Sequence, residues 1–177
     1  EEDYSYEEMK EKWGDNFFIN SYLKVFLSQG FLMLLVSMSA IVGSLYYGSL
    51  TILDYIGILV WAVGFIFESV GDYQLTRFIS NPKNKGKIMT KGLWRYTRHP
   101  NYFGEVTQWW GLLLIVVSLS NPLTLIAVIS PLTITYLILK VSGIPMLEKK
   151  YEDNKEFQKY KKQTNAFFPW FPKKKEI

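Results

Sequence analysis

Apolar residues in this chain gather into four long blocks, at residues 25–47, 52–78, 102–119 and 123–141. Each is near the roughly 20 residues a helix needs to cross a ~30 Å hydrocarbon layer at ~1.5 Å per residue. By periodicity alone, a buried helix of a soluble protein looks the same. A chain of 177 residues, however, cannot enclose four helices that are apolar on every side. The pattern therefore predicts an all-α, polytopic integral membrane bundle of about four transmembrane helices, with further helices at its polar ends.

Charge is spread unevenly between the blocks. Residues 44–51 and 118–124 carry none, whereas 80–99 hold Lys83, Lys85, Lys87, Lys91, Arg95 and Arg98. The tail beyond Gly143 adds Lys149, Lys150, Lys155, Lys159, Lys161, Lys162 and the run Lys173, Lys174, Lys175. Two crossings separate the start from the basic loop, and two more separate that loop from the tail. The positive-inside rule then places every basic segment and both termini in the cytosol, in a bacterial inner membrane or endoplasmic reticulum.

The chain divides into a polar, interfacial segment at 1–24, a transmembrane region at 25–143 with its cytosolic loop at 79–100, and a tail at 144–177. Helices are expected over Tyr4–Trp13 and over 146–162. In the latter, Phe157 with Tyr160, and Leu147 with Tyr151, are expected to lay one apolar face on the membrane surface. Phe167-Phe168-Pro169-Trp170-Phe171-Pro172 reads as an interfacial anchor, since aromatic rings favour the headgroup level. The start at Glu1-Glu2-Asp3, with no methionine and no basic n-region, reads as the C-terminal part of a longer protein.

Composition narrows the chemistry. There is no cysteine, which excludes disulfides, thiolate metal sites and a cysteine nucleophile, and a single histidine excludes a His-rich metal centre. Twenty basic against sixteen acidic residues give a net charge of +4, too little to indicate nucleic acid. The partners expected at this point are membrane lipids.

Two clusters stand out. Glu68 and Asp72 are stacked i, i+4 on the second apolar helix, with Gln74 and Arg77 following. If that helix leaves the hydrocarbon near Arg77, Asp72 lies roughly 7 Å deep and Glu68 roughly 13 Å. An acid near mid-helix costs about 2.5–3.5 kcal/mol on insertion scales, so such residues face a polar interior or a partner. A structural pair with Arg77 is the bland alternative.

The second cluster is the run from Gly92 to Glu105. Pro100 suits the first turn of the third helix, whose free N–H groups attract anions. Arg95 and Arg98 precede it and suit phosphate or carboxylate. Asn101 and Glu105 share a face, continued by Gln108 and Trp109. For the arginines alone, headgroup anchoring explains as much; for His99 alone, a hydrogen bond to the helix entry does. Headgroup anchoring needs neither Asn101 nor Glu105.

Arg98-His99-Pro100-Asn101-Tyr102-Phe103-Gly104-Glu105, preceded by Gly92-Leu93-Trp94-Arg95-Tyr96, resembles the signature of the steroid 5-alpha-reductase-like superfamily. More closely, the chain is similar to the family called domain of unknown function 1295, grouped with 3-oxo-5-alpha-steroid 4-dehydrogenases. Glu68-Ser69-Val70-Gly71-Asp72-Tyr73-Gln74-Leu75, Asn81-Pro82-Lys83-Asn84-Lys85-Gly86 and Ser142-Gly143-Ile144-Pro145-Met146-Leu147-Glu148 carry the same likeness, as do Trp13-Gly14 and Gln29-Gly30. The resemblance implies an NADPH-dependent reductase of a conjugated carbon–carbon double bond in a lipid-like substrate. It implies Glu105 and Tyr102 at the chemistry, with Asp72, Arg77, Arg95, Tyr96, Arg98, His99 and Asn101 holding the cofactor. Glu68, Gln74 and Gln108 would be substrate-side or structural polar groups. Hydride addition to an enone builds charge on its carbonyl oxygen, to which a buried acid can donate.

Relatives usually carry further membrane helices upstream, so this chain is expected to hold the cofactor half. No Gly-x-Gly-x-x-Gly fingerprint occurs, and this superfamily uses none. The isoprenylcysteine carboxyl methyltransferases share a similar Arg-His-Pro-x-Tyr-x-Gly segment and use S-adenosylmethionine; the acid after Gly104 and the Asn101-Tyr102 pair favour the reductase branch. A non-catalytic protein that binds lipid or a partner through its basic face is the third possibility.

Overall fold

The protein is seen here in a computed structural model that describes residues 4–45, 49–117 and 121–173. Glu1-Glu2-Asp3, residues 46–48 and 118–120 of the two uncharged loops, and residues 174–177, with Lys174 and Lys175, lie outside the described residues.

Nine α-helices follow one another among these residues: α1 Tyr4–Trp13, α2 Phe17–Asn20, α3 Leu27–Val36, α4 Met38–Leu45, α5 Ile52–Ile79, α6 Pro100–Val116, α7 Ile129–Tyr136, α8 Ile144–Lys149 and α9 Lys155–Gln163. Tighter and looser helical turns join several of them into longer rods. Three rods are long and apolar enough to cross a membrane: Met9–Val36, Ile52–Ile79 and Pro122–Lys149. The chain is thus an all-helical membrane protein.

Two of the four expected crossings take a different form. The first apolar block is carried on a helical rod that already runs through α1 and does not start near residue 25, because the Glu- and Lys-rich start, a good helix former, runs straight into the apolar residues. The rod ends at a turn at Ser37, after which α4 takes up the rest of that block. The third block forms α6, whose 17 residues reach about 25 Å, at the lower end of what a crossing needs.

Asp54 accepts hydrogen bonds from the Thr51 N–H, at 2.5 Å, and the Thr51 hydroxyl, at 2.7 Å, closing the start of α5. Along α5, Gly57, Gly64 and Gly71 recur every seven residues and are buried against α6. A Cβ on Gly64 would fall 2.6 Å from the Gly104 carbonyl oxygen. With lipid outside, close backbone approach through small residues is what joins two such helices. This contact sets α5 and α6 face to face and positions Glu68, Asp72 and Glu105.

Two apolar clusters hold the other helices. Val42, Leu113 and Ala127 pack at the far end. Val106, Ile138, Ile144 and Phe167 pack at the near end, where the tail joins the bundle.

The expected helix at 146–162 is two helices at an angle. A turn after α8 interrupts it, and α9 restarts where Asn154 Oδ1 accepts from the Phe157 N–H at 3.0 Å. Phe157 and Tyr160 therefore face the protein interior, 6% and 7% exposed, and not the membrane surface.

Candidate functional site

A single carboxylate organises the near end. Arg98 donates to Glu148 Oε1 through Nη2 at 2.7 Å and Nε at 2.8 Å, and His99 Nε2 lies 3.2 Å from the same oxygen. Lys161 Nζ sits 3.0 Å from the other oxygen. The remaining face of the Arg98 guanidinium donates to the Lys161 carbonyl at 3.2 Å and to the Thr164 carbonyl. Arg98 and Glu148 are both buried. A buried pair is tolerated only when its other polar atoms are also met, and here they are. Arg98 therefore spends most of its donors within the protein, not on a ligand's anion.

The same loop is tied to the tail strand by strand of hydrogen bonds. The Arg98 N–H donates to the Asn165 carbonyl and the Trp170 N–H to the Tyr96 carbonyl, each at 2.9 Å. The buried Thr97 hydroxyl reaches the carbonyls of Phe167, at 2.8 Å, and Ala166, at 3.1 Å. Tyr160 donates to the Trp94 carbonyl. Burial pushes the Tyr160 phenol above its ordinary range, so it remains a donor. Trp94 Nε1 donates in turn to the Gly71 carbonyl of α5 at 3.0 Å. Gln74 Oε1 accepts from the Leu93 N–H at 2.9 Å, which makes it a support of this loop. Gly92, at φ +60°, allows that approach, because any side chain there would run into Gln74.

Behind the loop lies a cavity of about 200 Å³. Leu75, Phe78, Met89, Leu147, Tyr151 and Phe157 give it an apolar wall, and Arg98, His99, Asn101 and Glu148 a polar one. The Arg98–Glu148 network fills its own needs. Asn101 Oδ1 does not: it is buried and has no hydrogen-bond partner among the described residues. An unmet buried acceptor costs about 1–3 kcal/mol, which a donor on a bound molecule would offset.

One helical turn further along α6, the acids converge. Glu105 lies within electrostatic reach of Glu68 and Asp72 on α5, and Tyr102 within reach of Glu105 and Asp72. Gln108 Nε2 donates to Glu68 Oε2. The Tyr102 ring stacks on His99, with centroids 5.5 Å apart and planes 16° from parallel. No basic side chain pairs with these three acids among the described residues. The structure thus brings together Glu68, Asp72, Tyr102, Glu105 and Gln108, and links them through His99 to the cavity.

Other expected members stand apart. Arg77 is exposed and, among the described residues, donates to the Tyr73 hydroxyl at 3.3 Å. The Tyr96 ring meets Phe171 edge-on at 5.9 Å, in the tail contact. Arg95 is exposed and lines a separate polar hollow of about 360 Å³ with Lys159, Gln163 and Thr164. Glu148, Tyr160 and Thr164 are not among the site residues expected from sequence: Glu148 enters there only as the end of the Ser142-to-Glu148 run, and Tyr160 only on the apolar face expected at the membrane.

A family model described as "Protein of unknown function (DUF1295)" matches residues 1–164. A curated protein named "Probable O-methyltransferase ustE", from Ustilaginoidea virens, is 46% identical over 46 residues. That stretch is 26% of this chain and 16% of the relative, so the chain matches well under a fifth of that protein's length. No solved structure matches.

Proposed function

Since the chain belongs to the family of unknown function 1295, which is steroid 5-alpha-reductase-like, we propose that it is a membrane reductase that uses NADPH to saturate a conjugated carbon–carbon double bond in a lipid-like substrate. The observation that carries this reading is the unmet Asn101 Oδ1 at the wall of the cavity, one helical turn from Glu105.

The residues present fit such a cofactor in part. Asn101 offers an acceptor to a carboxamide N–H. Arg95 and Lys159, on the polar hollow beside the cavity, suit phosphate oxygens. Some 200 Å³ takes one end of a dinucleotide, not all of it. When bound, the nicotinamide would supply the hydride to the carbon–carbon double bond. Glu105 would give its proton to the enone carbonyl oxygen as charge builds there, and the resulting enol returns to the ketone. Tyr102, held by its stack on His99, would orient that carbonyl. Gln108 would hold Glu68 to one side through its hydrogen bond. The basic loop and tail face the cytosol in this reading, giving a soluble cofactor access while the substrate arrives from the bilayer.

The test is turnover of enone lipids by the reconstituted protein, followed as NADPH consumption, with Glu105→Gln alongside. Consumption that depends on an enone and vanishes in the variant supports the reading. Unchanged turnover in Glu105→Gln removes the acid from its role.

A second reading is methyl transfer from S-adenosylmethionine. The short match to a probable O-methyltransferase favours it, and the donor's ammonium would also satisfy Asn101 Oδ1. Glu105 would then be structural.

A further inference from the structure

The tail at 165–172 has two faces with opposite characters. Its backbone is bound to the protein, through the Asn165 carbonyl to the Arg98 N–H and through the Trp170 N–H to the Tyr96 carbonyl, both at 2.9 Å. Phe167 is buried with it, but its other large rings face outward. Phe168, Trp170 and Phe171 are 69%, 70% and 75% exposed. A segment so well tied down that still presents three large rings outward is built to have them covered.

The position of these rings identifies what covers them. Phe168 packs against Phe103, in the first turn of α6, with centroids 6.2 Å apart, and Phe103 packs against Phe67 of α5 at 5.0 Å. The exposed rings thus lie beside the first turn of α6 and, through Phe103, against α5, a helix long and apolar enough to cross a membrane. Basic groups flank them: Lys162 is exposed at the end of α9, and Lys173 is held beside it by a hydrogen bond from its N–H to the Gln163 carbonyl at 2.9 Å. Aromatic rings beside lysines, at the start of a helix of the membrane bundle, fit an anionic headgroup layer.

We infer that residues 165–172 form a lipid-binding strap, whose seating in an anionic headgroup layer holds the loop at 94–99 in register. The same peptide groups that fix the strap fix Tyr96 and Arg98, so a strap that lifts must release the Arg98 N–H and the Tyr96 carbonyl together. Membrane surface charge would thereby set how firmly the wall of the cavity is held. This inference stands on the hydrogen bonds and exposed rings, and it does not depend on which reaction the site performs.

The full chain would be reconstituted in nanodiscs of phosphatidylcholine alone, or with phosphatidylglycerol, and compared with detergent. Two readouts are taken: tryptophan quenching by lipids brominated near the headgroup, and hydrogen exchange at the Arg98 and Trp170 amides. Headgroup-level quenching should fall in Trp170→Phe, and both amides should exchange about tenfold more slowly in the anionic discs than in detergent. Phe168→Ser with Phe171→Ser should lose that gain. Quenching unchanged by Trp170→Phe, or equal exchange in all three environments, overturns the inference. So does protection that rises with protein concentration and not with lipid charge, which would make a second copy the occupant. If the double variant fails to fold, the wild-type comparison across lipids still decides.

Discussion

Arg98 and Glu148, fifty residues apart in sequence, meet in a buried, doubly hydrogen-bonded pair with contacts at 2.7 and 2.8 Å. The pair joins the start of α6 to α8, and through Lys161 and Thr164 it also reaches α9 and the tail. The motif that draws attention in the sequence is therefore the brace of the site as much as its surface.

Removing one partner should expose what the pair does. Glu148→Ala leaves a buried guanidinium uncompensated, and the expected loss is about 3–5 kcal/mol. Thermal unfolding in detergent measures it. Arg98→Ala should cost a similar amount, and the double variant less than the sum of the two. Additive losses would contradict a direct pair.

Helix packing gives a second prediction. Gly64→Leu would drive a side chain into the Gly104 carbonyl, 2.6 Å from where its Cβ must stand. Overpacking of this kind costs about 1–3 kcal/mol, and it would also separate Glu68 from Gln108. Stability and turnover should fall together. At exposed Gly30, where nothing lies within 4 Å of an added Cβ, the same change should do neither.

Tyr160 predicts a dependence on pH. Its phenol is pushed by burial above the ordinary tyrosine range, so above pH ~10 the unfolded chain loses a proton that the folded protein keeps. The unfolded state then binds fewer protons, and stability must fall as pH rises through that range. Its contribution is fully present below pH ~10. Tyr160→Phe should flatten this part of the stability curve relative to wild type. It should also cost about 1–3 kcal/mol at neutral pH, because the Trp94 carbonyl loses its donor. Denaturant titrations of both proteins at neutral and high pH read the difference.

Much of this was legible in the sequence, and the losses have physical causes. Apolar block length revealed an all-helical membrane protein, and the i, i+4 spacings of Glu68 with Asp72 and of Asn101 with Glu105 put each pair on one face of its helix. Hydropathy could not locate the start of the first helix, because a Glu- and Lys-rich run extends a helix as readily as it caps one. Nor could it separate a lipid-facing amphipathic helix from one that buries its apolar face in the protein, which is why Phe157 and Tyr160 were expected on the membrane. Glu148 was hidden for a different reason. A carboxylate in a run of Glu and Lys looks solvated until a fold brings an arginine to it from fifty residues away.

Glu105 carries the chemical proposal, and its own prediction is narrow. Glu105→Gln should keep the fold, since no ion pair depends on it among the described residues, while turnover falls by about 10²–10⁴. Asp72→Asn, at an exposed position, should have the smaller effect. Circular dichroism and turnover on the same samples separate the two outcomes.

The most direct test of the central claim is a side-by-side titration of the purified protein with NADPH and with S-adenosylmethionine, followed by heat released. The account predicts saturable NADPH binding, weakened in both Asn101→Ala and Arg95→Ala, and none for S-adenosylmethionine. Saturable binding of S-adenosylmethionine without NADPH would contradict it and move the site to methyl transfer.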